Sequence, residues 1–372
     1  MIERIVIVGA GQAAAQAVET LWHSGYRNSI IVIGDEPHLP YRRPPLSKKY
    51  LAGAAGDDRL LIHRPDYYTE RSVEMRLGRR VMDIQTREQR VRLDDESTIA
   101  YDALLLSTGS RAQRLAIPGA DLDGIYYVRT LADVDALRTA CIPGRRLVVV
   151  GAGYVGMEVA ATCSQMGLGV TVLEVAERVM KRAVCAEVSS FYEAEHAARG
   201  IAIRCNTRVR AFAGYECSRR VRSVLCADGT EYPADLVVVG IGISPADEVA
   251  RAAGLRCSDG ITVDRHCQTS DLAVFAAGDC TNQPNACTGE PMRLESVDNA
   301  VEQAATAARN LLGERVAHEK VPWFWSDQFD LKLVIVGRSA GHDAVIVRGS
   351  AAARSFSVCY LRAGELIAID TI

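Results

Sequence analysis

Two stretches of the chain share one pattern of apolar and polar positions. The apolar run Ile5-Val6-Ile7-Val8 stops at Gly9, helical spacing follows over 13–24, Gly25 ends it, and a second apolar run over 30–33 closes at Gly34-Asp35. The same order recurs from Leu147: an apolar run over 147–150, Gly151, helical spacing through about Met166, Gly167, and a run over 170–173 that ends at Glu174. Each reads as a strand–turn–helix–strand unit, a βαβ unit. Further buried strands are predicted over 101–109, 235–242 and 272–277, the last stopping at Gly278-Asp279. From Pro322 onward short alternating segments at 333–336 and 356–361 replace this pattern and predict an antiparallel sheet. The fold class expected is α/β, with two Rossmann-like domains and a small C-terminal α+β domain.

Between the strands, the turns carry the chemistry. In Gly9-x-Gly11-x-x-Ala14 the first glycine makes a tight turn, the second lets backbone N–H groups approach a pyrophosphate, and the small third residue allows close helix–strand packing. Ala13 and Ala14 open the helix whose N-terminal dipole faces the phosphates, and Asp35 ends the next strand, where a carboxylate holds a ribose hydroxyl. Gly151-x-Gly153-x-x-Gly156 repeats the design with Glu174 as its terminal acid. An acid there binds a 2′-hydroxyl and repels a 2′-phosphate, which favours NADH over NADPH; Arg178 nearby argues the other way. Two dinucleotide sites in one chain suit hydride transfer between nicotinamide and flavin, so FAD is expected at the first and NADH at the second.

Composition narrows the class. A chain of 372 residues with 48% apolar content allows two or three full cores. The net charge of −3 gives no sign of a nucleic-acid binder. No apolar stretch is long enough to span a membrane, and the N-terminal strand leads into a glycine turn rather than a cleavage site, so a cytoplasmic location is expected. The eleven cysteines include no C-x-x-C pair and none lies before Cys141, which argues against a flavin disulfide reductase and for buried, idle thiols. The seven histidines form no metal-ligand spacing, and no metal site is expected.

Glu158 lies inside an apolar helix, where an unpaired carboxylate would be strongly penalised, so a partner is expected. Trp323 and Trp325 share a face if their segment is a strand.

The segment Pro40-Tyr41-Arg42-Arg43-Pro44-Pro45-Leu46-Ser47-Lys48 is more specific than either glycine turn. It resembles the P-Y-x-R-P-P-L-S-K motif of the ferredoxin reductases that serve bacterial Rieske oxygenases and cytochrome P450 systems. The resemblance continues through Ala277-Gly278-Asp279-Cys280, through Arg293-Leu294-Glu295-Ser296-Val297-Asp298-Asn299-Ala300, and into Pro322-Trp323-Phe324-Trp325-Ser326-Asp327-Gln328. It implies a glutathione-reductase-like layout: an FAD domain over 1–113 and 241–320, an NAD domain over 114–240, and a C-terminal domain over 321–372. Members of that family usually continue past the position of Ile372, so an incomplete C-terminus is expected.

The resemblance implies FAD contacts at Gly9, Gly11, Ala13 and Asp35, with Arg43 and Lys48 further along the flavin. Val81, Thr108, Gly109 and Arg129 would line it, and Asp279 would bond the ribitol. Val297 would open a helix whose dipole stabilises reduced flavin, with Val301, Ala304, Ala308 and Leu311 as its apolar face. Lys48 would pair with Glu158 beside flavin N5, and Trp325 would stand on the nicotinamide side of the flavin. The activity implied is NADH-dependent reduction of a 2Fe–2S ferredoxin by a monomer or weak dimer, without nucleic-acid or membrane partners. An excess of arginine from Arg59 to Arg92 suits an acidic ferredoxin or an ordinary solvated surface. Competing readings are an NADH oxidase and a redox-sensing flavoprotein of the apoptosis-inducing-factor type.

Overall fold

The computed structural model describes residues 2–285 and 289–372. The chain forms two compact units, each discontinuous: residues 1–42, 57–111 and 244–324 make the first, and residues 43–56, 112–243 and 325–372 the second.

The first unit is built on a five-stranded parallel sheet in the order Val274–Ala276, Ala103–Leu106, Arg4–Val8, Ser29–Gly34, Val73–Leu77. Ile5 registers with Ile30 on one side and Ala103 on the other, which puts the first glycine turn beyond the carboxyl end of the central strand. Alternate residues feed two cores. Ile5, Ile7, Val32 and Leu105 pack under the helices Gln12–His23 and Val297–Leu311, and Val6, Val8, Ile33 and Leu106 pack on the opposite face with Val81, Val91 and Leu93. Burial on both faces explains the unbroken apolar runs. The helix Val297–Leu311 is capped by Ser296, whose side chain accepts from Asn299 N.

The second unit holds a five-stranded parallel sheet in the order Ala202–Arg204, Gly169–Leu173, Arg146–Val150, Leu236–Val239, Ile125–Tyr126. The helix Tyr154–Gln165 leaves the second glycine turn, and the helix Leu131–Ala140 is fixed at its start by a capping box between Thr130 and Asp133. The segment 43–56, with its Pro-Pro-Leu-Ser-Lys stretch, is grouped in this unit. Tyr50 Oη donates to Asp135 Oδ1 at 2.8 Å and Thr162 Oγ1 donates to Ser47 O at 2.9 Å.

The C-terminal sheet is antiparallel, in the order Trp323–Gln328, Leu331–Gly337, Glu365–Thr371, Ser355–Arg362, Ala344–Ser350. Residues 323–372 contain strands and turns only, so the helical part of the α+β expectation for this piece is not present here. One face of the sheet closes on the second unit's helices through Phe356, whose ring lies 5.1 Å from that of Phe191.

Candidate functional site

At the first turn Gly9 has φ +106°, and a Cβ there would lie 2.1 Å from Ser107 O. Only glycine fits. Gly151 repeats this at φ +102°, with Gly240 O 2.4 Å from the Cβ position. The second glycines differ in kind: neither Gly11 nor Gly153 has any atom within 4 Å of its would-be Cβ. These are the two N-caps of the helices that follow, so free backbone donors front open space, as a pyrophosphate cradle requires. The third positions separate the two turns. A Cβ on Gly156 would meet Gly151 O at 2.0 Å, whereas the first helix accommodates fully buried Ala14 and nearly buried Ala13.

Glu174 closes the second turn. Its Oε2 accepts from Ala152 N at 2.6 Å and its Oε1 from Ala176 N at 2.8 Å, fixing the carboxylate beside the glycine loop. Arg178 is committed elsewhere, donating to the carbonyls of Val184 at 2.7 Å and of Cys185 and Lys181 at 3.2 Å. Backbone thus occupies the cation that could have received a 2′-phosphate. In the first unit Asp35 is exposed at the strand end, with Arg80 Nη2 3.4 Å from its Oδ2.

Further along the first unit, Gly278 (φ +87°) turns the chain so that Asp279 Oδ2 accepts from Ser110 Oγ at 2.8 Å. Gln303 holds the turn: its Oε1 accepts from Gly278 N at 2.8 Å and from Thr281 Oγ1 at 3.0 Å, and its Nε2 donates to Gln283 Oε1 at 2.6 Å. Thr108 Oγ1 donates to Ala246 O, and Gly109 takes φ +69°. Val297 starts its helix as expected, and Ala304, Ala308 and Leu311 of the expected face are buried, but Val297 and Val301 are only half-buried and the buried face also takes in Asn299, Ala300, Gln303 and Ala307. Val81 is buried in the core on the opposite face of the sheet from the helices.

In the second unit Lys48 Nζ lies 2.6 Å from Glu158 Oε2. Glu158 is 5% exposed, and it also accepts from Ser47 Oγ at 2.6 Å and from Ser326 Oγ at 2.7 Å. A buried carboxylate therefore has three donors, and Gln328 Nε2 steadies Ser326 at 3.2 Å. The family resemblance pointed to the lysine but not to the two serines, which come from 111 residues before and 168 residues after Glu158. Arg43 Nη1 donates to Arg129 O at 2.6 Å, bringing those two predicted residues together. Trp325 is half-buried and, by strand alternation, shares a face with Trp323 opposite Ser326.

Five of the arginines between Arg59 and Arg92 are within 4.0 Å of a carboxylate: Arg71, Arg76, Arg79, Arg80 and Arg92. Much of the apparent positive excess is thus locally offset. Among the described residues, no helix is long and apolar enough to cross a membrane, and no cluster of three or more His, Cys, Asp or Glu side chains is placed to hold a metal.

Residues 3–304 match the family described as pyridine nucleotide-disulphide oxidoreductase, and residues 323–372 match the reductase C-terminal family. The chain is 41% identical to putidaredoxin reductase from Pseudomonas putida over 100% of its own length and 88% of that protein's. It is 38% identical to the ferredoxin–NAD(+) reductase component of the biphenyl dioxygenase system from Paraburkholderia xenovorans, over 94% of this chain and 85% of the relative. Its fold is similar to that in the crystal structure of the covalent putidaredoxin reductase–putidaredoxin complex, with a TM-score of 0.96 over 99% of this chain and 89% of that one.

Proposed function

This chain belongs to the pyridine nucleotide-disulphide oxidoreductases, and from that premise we propose that it is an NADH-dependent reductase of a small 2Fe–2S ferredoxin that feeds an oxygenase, acting in the cytoplasm as a monomer or weak dimer. The observation that carries this reading is the Lys48–Glu158 ion pair in the Pro-Pro-Leu-Ser-Lys segment, where flavin reductases of oxidase and disulfide chemistry present a cysteine. Full-length similarity to putidaredoxin reductase supports it.

FAD supplies the step between a two-electron donor and a one-electron acceptor. The residues present fit both nucleotides. Open space in front of Gly11 and Gly153 leaves room for each pyrophosphate, and Asp35 and Glu174 stand at the strand ends where ribose hydroxyls bind. Asp279, oriented by Ser110, offers its carboxylate to the ribitol, with Thr108 and Gly109 on the neighbouring turn. Glu174 discriminates against a 2′-phosphate by charge. Lys48, fixed by Glu158, holds one ammonium in place for the isoalloxazine without having to order itself when nicotinamide arrives. Arg43, Arg129 and the Val297 helix start complete the proposed flavin contacts, and Trp325 is assigned to the nicotinamide side. The domains proposed are 1–113 with 241–320 for FAD, 114–240 for NADH, and 321–372 as the C-terminal piece.

The test is NADH-driven reduction of cytochrome c by the purified holoenzyme, with and without candidate 2Fe–2S ferredoxins from the same genome. Turnover that depends on an added ferredoxin is expected. Rapid ferredoxin-independent oxygen consumption would instead make the protein an oxidase.

A further inference from the structure

Cys141 and Cys163 are far apart in sequence and lack any redox-motif spacing, yet their Sγ atoms lie 3.9 Å apart. The backbone holds them there. Cys141 caps the helix Leu131–Ala140, its N–H bonded to Leu137 O and Arg138 O, and Cys163 sits on the helix Tyr154–Gln165 that leaves the second glycine turn. The loops that follow the two cysteines are laced together: Gly144 N donates to Gly167 O at 2.8 Å and Gly169 N to Arg145 O at 2.9 Å. Pro143 packs against Gly167 between these bonds. The thiols therefore meet across two loops tied by backbone hydrogen bonds, and a disulfide would draw their sulfurs from 3.9 Å to about 2.05 Å.

The two sulfurs are not equivalent. Cys163 is fully buried, whereas Cys141 keeps 8% of its surface exposed. Hydrogen bonding with Cys163 and the Arg145 guanidinium pull the Cys141 thiol below the ordinary range, while hydrogen bonding with Cys141 and burial push Cys163 well above it. Cys141, the less deeply buried of the two residues and the one beside the Arg145 guanidinium, is thus the better placed to attack, with Cys163 behind it as the resolving thiol.

We propose that Cys141 and Cys163 form a reversible dithiol–disulfide couple that reacts with small peroxides, a modification site in the NADH-binding half separate from the flavin chemistry. The Cys141 thiolate attacks one peroxide oxygen; an S–O bond forms, the O–O bond breaks, and the departing hydroxide takes a proton and leaves as water. Cys163 then attacks the Cys141 sulfur, forming S–S and breaking S–O, and its proton leaves with the second oxygen as water. Two thiols lose two electrons and hydrogen peroxide becomes two waters. An external thiol reductant reverses the change. The disulfide ties the loop after Leu131–Ala140 to the dinucleotide helix and halts oxidation of Cys141 before the irreversible sulfinic stage.

The experiment uses the holoenzyme, with hydrogen peroxide raised until exposed Cys217 is oxidised, so that delivery of oxidant is verified within the same molecule. After alkylation in denaturant and tryptic digestion, the peptide 139–145 is expected joined to the peptide 147–178, with the link lost on dithiothreitol treatment. In Cys163→Ser the link is absent and Cys141 accumulates sulfinic acid. The proposal is overturned if Cys141 and Cys163 both remain alkylatable once Cys217 is oxidised. It is equally overturned if wild-type Cys141 reaches sulfinic acid without cross-linking.

Discussion

Lys48 Nζ and Glu158 Oε2 lie 2.6 Å apart, with Glu158 almost wholly buried and Lys48 retaining some exposure. The ammonium therefore neutralises a carboxylate that cannot reach water, while one side of it stays open. Removing the lysine alone strands a buried charge. Lys48→Met is expected to lower unfolding stability by on the order of 3 kcal/mol, the low end for a broken buried pair because Ser47 and Ser326 still donate. It should also slow flavin reduction by NADH on the order of 100-fold. The double variant Lys48→Met/Glu158→Gln separates the two effects, since the neutral amide needs no cation. Denaturant unfolding should show most of the stability restored while stopped-flow reduction stays slow. If reduction also recovered, the lysine would be structural only.

The second glycine turn separates packing from binding within six residues. Gly153 has an ordinary φ of −76° and no neighbour within 4 Å of its Cβ position, so Gly153→Ala should leave the melting temperature unchanged. The added methyl would fill the space proposed for the pyrophosphate, and the KM for NADH should rise at least about tenfold, a cost of roughly 1.4 kcal/mol in binding. Gly156→Ala should do the opposite in order: its Cβ would fall 2.0 Å from Gly151 O, so the fold gives way before binding is at issue. A Gly153→Ala protein that melts early, or binds NADH normally, would contradict this division.

How far the sequence was readable depended on whether the signal was local. Each glycine turn declares itself within a dozen residues, because strand, φ-demanding glycine and helix follow one another directly. Glu158 was readable for a different reason: a lone carboxylate among Gly156, Met157, Val159 and Ala160 demands a partner on desolvation grounds. Its serine partners were not, because a hydroxyl at Ser47 or Ser326 looks like any other until folding closes the distance. The Val297–Leu311 helix shows the limit of apolar spacing. Asn299 and Gln303 are buried because their amides bond to each other, to Gln283 and to the Gly278 turn, so the true core face includes polar residues that a hydrophobic pattern assigns to solvent. Cys141 and Cys163 were hidden likewise, their closeness being a property of two laced loops.

The proposed preference for NADH rests on the charge of Glu174, and three carbonyls hold the Arg178 guanidinium that would oppose it. Glu174→Gln keeps the side-chain shape and an amide oxygen able to accept from a backbone N–H. The NADPH-to-NADH ratio of kcat/KM should rise on the order of tenfold through loss of one charge repulsion near the surface. Steady-state kinetics with both coenzymes at fixed ionic strength checks it. An unchanged ratio would move the discrimination to another residue.

Ferredoxin docking should depend on salt only weakly if the arginines from Arg59 to Arg92 are its sole electrostatic basis, since five of them already lie against carboxylates. Measured between about 50 and 200 mM salt, where the screening length falls below about 10 Å, the ferredoxin KM should change less than about threefold. A steeper rise would show that a cationic surface elsewhere on the chain carries the encounter.

Asp370 carries a pH dependence of its own. It is fully buried in the C-terminal sheet, accepts from Tyr360 Oη, and its Oδ1 has no hydrogen-bond partner among the described residues. Burial raises its pKa from 3.8 to about 6, opposed only by the Tyr360 bond. A carboxyl whose folded value is raised binds its proton more tightly in the native state. Stability is then greatest below the unfolded value and declines as pH climbs from about 4 to about 6, after which the full cost of a buried anion persists. Asp370→Asn removes that cost while leaving an oxygen to accept from Tyr360. At pH 8 the variant should be more stable than the wild type by about 2–3 kcal/mol, from a shift of about two units at 1.36 kcal/mol each. The gap should close by about pH 4, where both side chains are neutral. Urea unfolding of both proteins from pH 4 to pH 8 reads this directly, and a gap that stayed constant across the range would mean Asp370 does not titrate in the folded protein.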